Sequence, residues 1–173
     1  MNDGTRAQFE LIREFTTALA RGGQRAWLFG GWGLDARIGR VTRDHGDVEF
    51  WVDRATAHDV LPLVVGTGAV LLDTRPPEES AEYDRDGVRF STAYFDARAD
   101  GTFAPRGRFD DWVFPAGSFP GEPVDLAGLP VRAMSAAGML TMKEQFPHLR
   151  GGRPWRDKDV VDVGLLRSML GGR

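Results

Sequence analysis

The chain has 173 residues, 42% hydrophobic and 27% charged, the balance of an ordinary globular protein long enough to bury one core. Its net charge of −3, without a basic stripe, excludes the electrostatics of a general nucleic-acid binder, and the lack of cysteine excludes disulfides and thiolate metal sites. The opening MNDGTRAQFE lacks the layout of a signal peptide, and the longest apolar run, residues 60–72, is interrupted by Pro62, Gly66 and Gly68, so a cytoplasmic protein with no membrane span is expected.

Residues 7–21 place Phe9, Ile12, Phe15 and Leu19 at helical spacing, and Gly22-Gly23 ends that helix. A first strand follows at 26–29. It runs into Gly30-Gly31, where missing Cβ atoms let backbone N–H groups approach a phosphate. The next helix carries Leu34 and Ile38 inward and stops near Gly39. Its N-terminus would add partial positive charge to such a cradle. The second strand is 47–52. Residues i and i+2 of a strand share a face, so Asp47 and Glu49 lie side by side, with Val48 and Phe50 packing on the opposite face. Adjacent carboxylates repel unless a proton or a cation lies between them, and Mg²⁺ suits one or two carboxylates plus substrate phosphates.

Residues 55–65 read as a helix despite Pro62, and 69–72 as a short buried strand. Residues 74–86 hold Pro76-Pro77 and five acids, Glu78, Glu79, Glu82, Asp84 and Asp86. This is a loop or the start of a hairpin turning at Asp86-Gly87. The acids read as solubilising surface, with attraction of a cationic acceptor as the sharper alternative. Along 88–96, Val88, Phe90, Thr92, Tyr94 and Asp96 share one face, and Arg89, Ser91, Ala93 and Phe95 the other. Residues 101–114 form a turn-rich excursion ending in Phe109, Trp112 and Phe114, which could border the substrate or form a dimer surface. Residues 115–123 read as a loop and 129–134 as a strand. Ser135 caps a helix at 136–146, Pro147 and Gly151-Gly152 break the chain, and a final helix runs to Leu170. The expected organisation is one domain, with a core over about 1–134 and a helical part over about 135–173.

Gly30-Gly31-Trp32, Asp35, Gly39, Arg43, His45, Asp47 and Glu49 together resemble the signature of nucleotidyltransferases of the DNA polymerase β superfamily. The likeness is to the aminoglycoside and lincosamide nucleotidyltransferases, with their GGW, Arg-x-His and Asp-x-Asp elements. It implies an α+β fold, a mixed sheet flanked by helices with C-terminal helices added. It also implies a Mg-dependent adenylyltransferase moving AMP from ATP to a hydroxyl of an antibiotic-like small molecule. Asp47 and Glu49 would then hold the metal, with Asp96 as the third acid that ligates it and takes the acceptor's proton, against rivals Asp100, Asp110 and Asp111. Gly30, Gly31, Arg43, Lys143 and Lys158 would bind the nucleotide, with Arg40 also within reach. Asp35 reads as a helix-surface or supporting residue, and His45 as one that orients the start of the strand. Short enzymes of this kind often complete their acceptor site with a second subunit, so a homodimer is an option. Glu49 stands where Asp is commoner. That leaves a second reading open, a catalytically silent nucleotide- or partner-binding module of the toxin–antitoxin type, and a third, modification of a protein hydroxyl.

Overall fold

In a computed structural model, residues 2–73, 75–149 and 151–171 are described; Thr74, where the acid-rich loop was expected to begin, lies outside them. Helix α1 (Asp3–Arg21) starts at Asn2, whose side chain accepts from the Thr5 backbone N–H, and buries Phe9, Ile12, Phe15 and Leu19. Strand β1 (Trp27–Leu28) passes directly into α2 (Gly30–Ile38). Gly39 ends α2 in the left-handed conformation, φ 85°, with its N–H on the Asp35 carbonyl. Strand β2 (Val48–Asp53), a short 3₁₀ turn and α3 (Ala57–Gly66) follow, and Pro62 sits inside α3 at the loss of one intrahelical hydrogen bond.

Strand β3 (Val70–Leu72) leads to the hairpin β4 (Ser80–Arg85) and β5 (Val88–Ala97), closed by Asp86-Gly87 with φ 51° and 83°. Two positive φ values in a two-residue loop match the twist of the flanking strands. Strand β6 (Phe103–Ala104) pairs with the end of β5. A small second sheet joins β7 (Val124–Leu126) to β8 (Leu129–Val131), and helices α4 (Ala136–Leu149) and α5 (Asp157–Gly171) complete the fold. The main sheet has the order β1-β2-β5-β4-β3, and among the strand pairs of the described residues β2–β5 is the parallel one. A parallel pair needs a long crossover, here α3, β3 and β4. The result is the expected α+β architecture, a mixed sheet flanked by helices.

Both sheet faces are covered. On one, Val48, Phe50, Val52, Phe90 and Tyr83 pack under α1 and α3. On the other, Trp27, Trp51, Phe95 and Phe114 meet Met139 and Met142 of α4 and Leu166 of α5. Several expectations are corrected. Strand β3 is an exposed edge, with Val70 63% accessible, because a short apolar run does not reveal whether a strand is central or outermost. Trp112 and Phe114 are buried in the second core and offer no dimer surface. Pro147 lies within α4 and does not break it. Among the described residues no helix is long and apolar enough to cross a membrane.

Candidate active site

The β2–β5 register pairs Glu49 with Ser91 and Trp51 with Ala93, which puts these four on one face of the sheet. Val48, Phe50, Phe90 and Thr92 are buried on the other, so the alternation read at β2 holds. Asp47 lies just before β2, exposed, and Glu49 is half-buried two residues on. Both line a cavity of about 370 Å³ together with Gly30 and Gly31. The glycines are required there. Gly30 has φ 63°, and a Cβ on it would stand 2.7 Å from Glu49 Oε2. A Cβ on Gly31 would collide with the His45 ring.

A buried layer beneath holds this arrangement. The Asp35 carboxylate, fully buried, meets His45 Nε2 at 2.6 Å and accepts from the Thr42 backbone N–H at 3.0 Å and its hydroxyl at 2.5 Å. Asp35 is therefore an internal anchor and not a helix-surface residue. The His45 ring lies 4.8 Å from the Trp32 ring, Trp32 Nε1 donates to Gln8, and Gln8 donates to the His45 carbonyl. Helix α1, the GGW turn and the lead into β2 thus become one unit, and the path of the chain into Asp47 is fixed.

The opposite wall carries cations. Lys143, buried on α4, donates to Asp159 at 2.7 Å and Asp162 at 2.9 Å. Arg43 grips Asp162 through both terminal nitrogens, at 2.6 and 3.1 Å, and Arg156 holds Asp159 at 2.6 Å. Burial pushes Asp159 upward, but the hydrogen bonds from Arg156 and Lys143 outweigh it and hold the carboxyl well below the usual range. Lys143 and Arg43 line the cavity with their charge already met by aspartates, whereas Lys158 borders it as an exposed residue. At Glu49 the balance is reversed. Burial first and the Asp47 charge second push it up to about 7, against the pull of Lys143, Lys158 and Arg75. Two hard oxygen donors short of positive charge are a donor set that fits Mg²⁺, which takes its remaining ligands from water and phosphate. Among the described residues no group of three His, Cys, Asp or Glu forms a complete metal cage.

The structure does not bring Asp96 to this site. Asp96 shares the parity of Thr92 and Tyr94, the face away from Glu49, and is bound by Arg54 at 3.2 Å and Arg106 at 2.6 Å. On β5 the cavity is lined by Ser91 and Ala93. Asp100, Asp110 and Asp111 do not line the cavity either. Trp112, in the aromatic excursion expected to border the substrate, and Glu79, in the acid-rich run, both line it, and so does Trp51, which the sequence analysis did not single out. For Trp51 a signal existed, since it follows Glu49 by two residues. For Glu79 the acid-rich run was the signal, but nothing local separated Glu79 from the other acids in it.

The sequence model of the aminoglycoside-2''-adenylyltransferase family matches residues 11–166. The chain belongs to this family. A 2''-aminoglycoside nucleotidyltransferase of Klebsiella pneumoniae is 43% identical over 43 residues, 25% of this chain and 24% of that protein, and one of Escherichia coli matches to the same extent. The alignment thus spans about a quarter of the length of these curated relatives. Over the whole fold, the adenylyltransferase-family chain is similar to ANT(2'')-Ia solved in complex with adenylyl-2''-tobramycin. The TM-score is 0.78 at 22% identity, covering 96% of this chain and 91% of that one. The lincomycin-bound lincosamide adenylyltransferase LnuA gives a TM-score of 0.66 at 17% identity, covering 98% of both chains. At these identities the likeness establishes the shared fold.

Proposed function

We propose that this protein is a Mg²⁺-dependent nucleotidyltransferase that moves AMP from ATP to a hydroxyl of an aminoglycoside- or lincosamide-like antibiotic. The observation that carries the reading is the facing of Asp47 and Glu49 onto the Gly30-Gly31 turn within one cavity. Membership of the adenylyltransferase family supports it, as do the adenylylated tobramycin and the lincomycin named for the two structural neighbours.

Asp47 and Glu49 would hold the metal, which would supply positive charge to offset the charge at the reacting phosphorus. Backbone N–H groups of the glycine turn, at the start of α2, favour the triphosphate. Lys158 adds an exposed positive charge at the rim, with Lys143 and Arg43 behind it. The acceptor oxygen forms a bond to the α-phosphorus as the bond to the β-phosphate oxygen breaks, and pyrophosphate leaves. The protein contributes mainly position and fixed charge. Calorimetric titration of ATP with and without Mg²⁺, followed by pyrophosphate release with tobramycin and lincomycin, tests this. Asp47→Asn should lower turnover on the order of 100-fold or more while leaving thermal stability near wild type, since Asp47 is exposed. Full turnover in that variant would sink the proposal.

One observation favours the second reading, a silent nucleotide-binding module: no carboxylate lies among the cavity-lining residues of β5, where the resemblance implies a base. Mg²⁺-dependent ATP binding without pyrophosphate release for any acceptor would select it.

A further inference from the structure

Five carboxylates line the cavity: Asp44, Asp47, Glu49, Glu79 and Asp162. Four are committed. Asp44 accepts from Asn2 and Thr5, Asp162 from Arg43 and Lys143, and Asp47 and Glu49 form the metal pair. Glu79 differs. It is 7% exposed, and its Oε1 accepts from the Arg108 backbone N–H at 3.0 Å. Its Oε2 is buried without a hydrogen-bond partner; the Arg108 guanidinium stands 3.0 Å away but not in hydrogen-bonding geometry. The pocket around Glu79 is built. Gly107 has φ 71°, and a Cβ there would stand 2.5 Å from Glu79 Oε1. The Glu79 backbone N–H is fixed on the Pro76 carbonyl, and its own carbonyl accepts from Tyr94 on β5.

Two more buried polar atoms in the same cavity lack partners, the indole N–H groups of Trp51 and Trp112. The two rings are 6.4 Å apart and nearly perpendicular, at 75°, and Phe109 lies 5.7 Å from Trp112. An unpaired buried donor or acceptor costs about 1–3 kcal/mol. Two such donors and one such acceptor around one cavity are arranged for a ligand that carries both kinds of group.

We propose that Glu79, with Trp51 and Trp112, forms the acceptor subsite, and that Glu79 is the general base that β5 does not supply. The ligand class is a polyhydroxylated ring: its C–H face lies on the indoles, its oxygens receive the two N–H groups, and one hydroxyl points at Glu79 Oε2. The carboxylate takes that hydroxyl's proton as the acceptor oxygen bonds to the α-phosphorus and pyrophosphate departs with the electron pair of the broken P–O bond. Glu79 then returns the proton to solvent. A hydroxyl ionises far above neutrality, so a positioned base is worth about 10²–10⁴-fold. The inference rests on the transferase reading above and adds the residues that hold its acceptor and take its proton.

Indole emission is recorded as tobramycin, and separately lincomycin, is titrated into protein loaded with Mg²⁺ and a non-hydrolysable ATP analogue. A saturable change with one of them, diminished in Trp112→Phe, is expected. Glu79→Gln should lower kcat for pyrophosphate release by about 10²-fold or more, with KM for ATP within twofold and the remaining rate rising steadily with pH. Glu79→Asp, which keeps a carboxylate, should recover part of the loss, which a purely structural role would not predict. Turnover of Glu79→Gln within threefold of wild type overturns the assignment. So does an unchanged emission with both probes while the analogue still binds. Failure of wild type to bind the analogue with Mg²⁺ overturns the transferase reading itself, and this proposal with it.

Discussion

Two walls of one cavity treat charge in opposite ways. At the mouth of β2, burial first and the neighbouring Asp47 charge second push Glu49 up to about 7, against the weaker pull of Lys143, Lys158 and Arg75. Across the cavity, Lys143, Arg43 and Arg156 are each hydrogen-bonded to Asp159 or Asp162, which are 1% exposed. The first wall stays short of its counter-charge and is fit to receive a cation. The second is self-neutralised and joins α4 and α5 to the segment before β2. One wall leaves like charges side by side, and the other pairs opposite charges in the interior.

The largest separation of the two walls is expected from Lys143→Met. It leaves two buried aspartates with only the arginines as partners, and breaking a buried ion cluster costs about 3–5 kcal/mol. Urea unfolding would measure it, and a midpoint equal to wild type would mean the α4–α5 wall is not held by charge. Glu49→Gln should act in the other direction. An unfolded Glu loses its proton near its ordinary value of 4.5, and folded Glu49 keeps it up to about 7. Between those values the folded state binds more protons, so stability falls as pH rises through the window. Without metal, the Gln variant should melt a few degrees above wild type at pH 8, and the gap should close by pH 4.5. Equal melting temperatures at pH 8 would show that the pair is not strained. The smallest effect is expected from Asp96→Asn, which loosens a half-exposed ion pair with Arg54 and Arg106 worth about 1 kcal/mol or less. Its pyrophosphate release should stay within twofold of wild type; a large loss would return Asp96 to the reaction.

Much of the first wall was legible in the sequence, because its logic is local. Gly30-Gly31, the i, i+2 acids and the Asp86-Gly87 turn each declare themselves within a few residues, as does Ser135, whose hydroxyl accepts from the Gly138 N–H at the start of α4. What escaped depends on pairing between distant segments. Alternation along β5 correctly separated Ser91 and Ala93 from Thr92, Tyr94 and Asp96. Which of those faces looks toward Asp47 is set by the register of β5 against β2, and nothing local to either strand encodes it. Lys143 was noticed as a cation, but its partners Asp159 and Asp162 lie on another helix, so a triphosphate contact looked simpler than a buried ion cluster. Glu79 looked like its exposed neighbours because its burial comes from the turn at Gly107, far along the chain.

The parallel pairing of β2 with β5 has a consequence for how the protein is made. The β4–β5 hairpin closes through two residues, but β2 meets β5 only after the whole α3–β3–β4 excursion is in place. Long-range contacts of this kind are slow to form, since loop-closure entropy is lost before the pairing compensates for it. A growing chain would therefore have β1, the glycine turn, Asp47 and Glu49 out of the ribosome, with β1 able to pair with β2, before β5 completes the sheet face around Glu49. The proposed metal site should form late in folding, after the hairpin and α1, so refolding followed by a metal-sensitive signal should lag behind refolding followed by helix content.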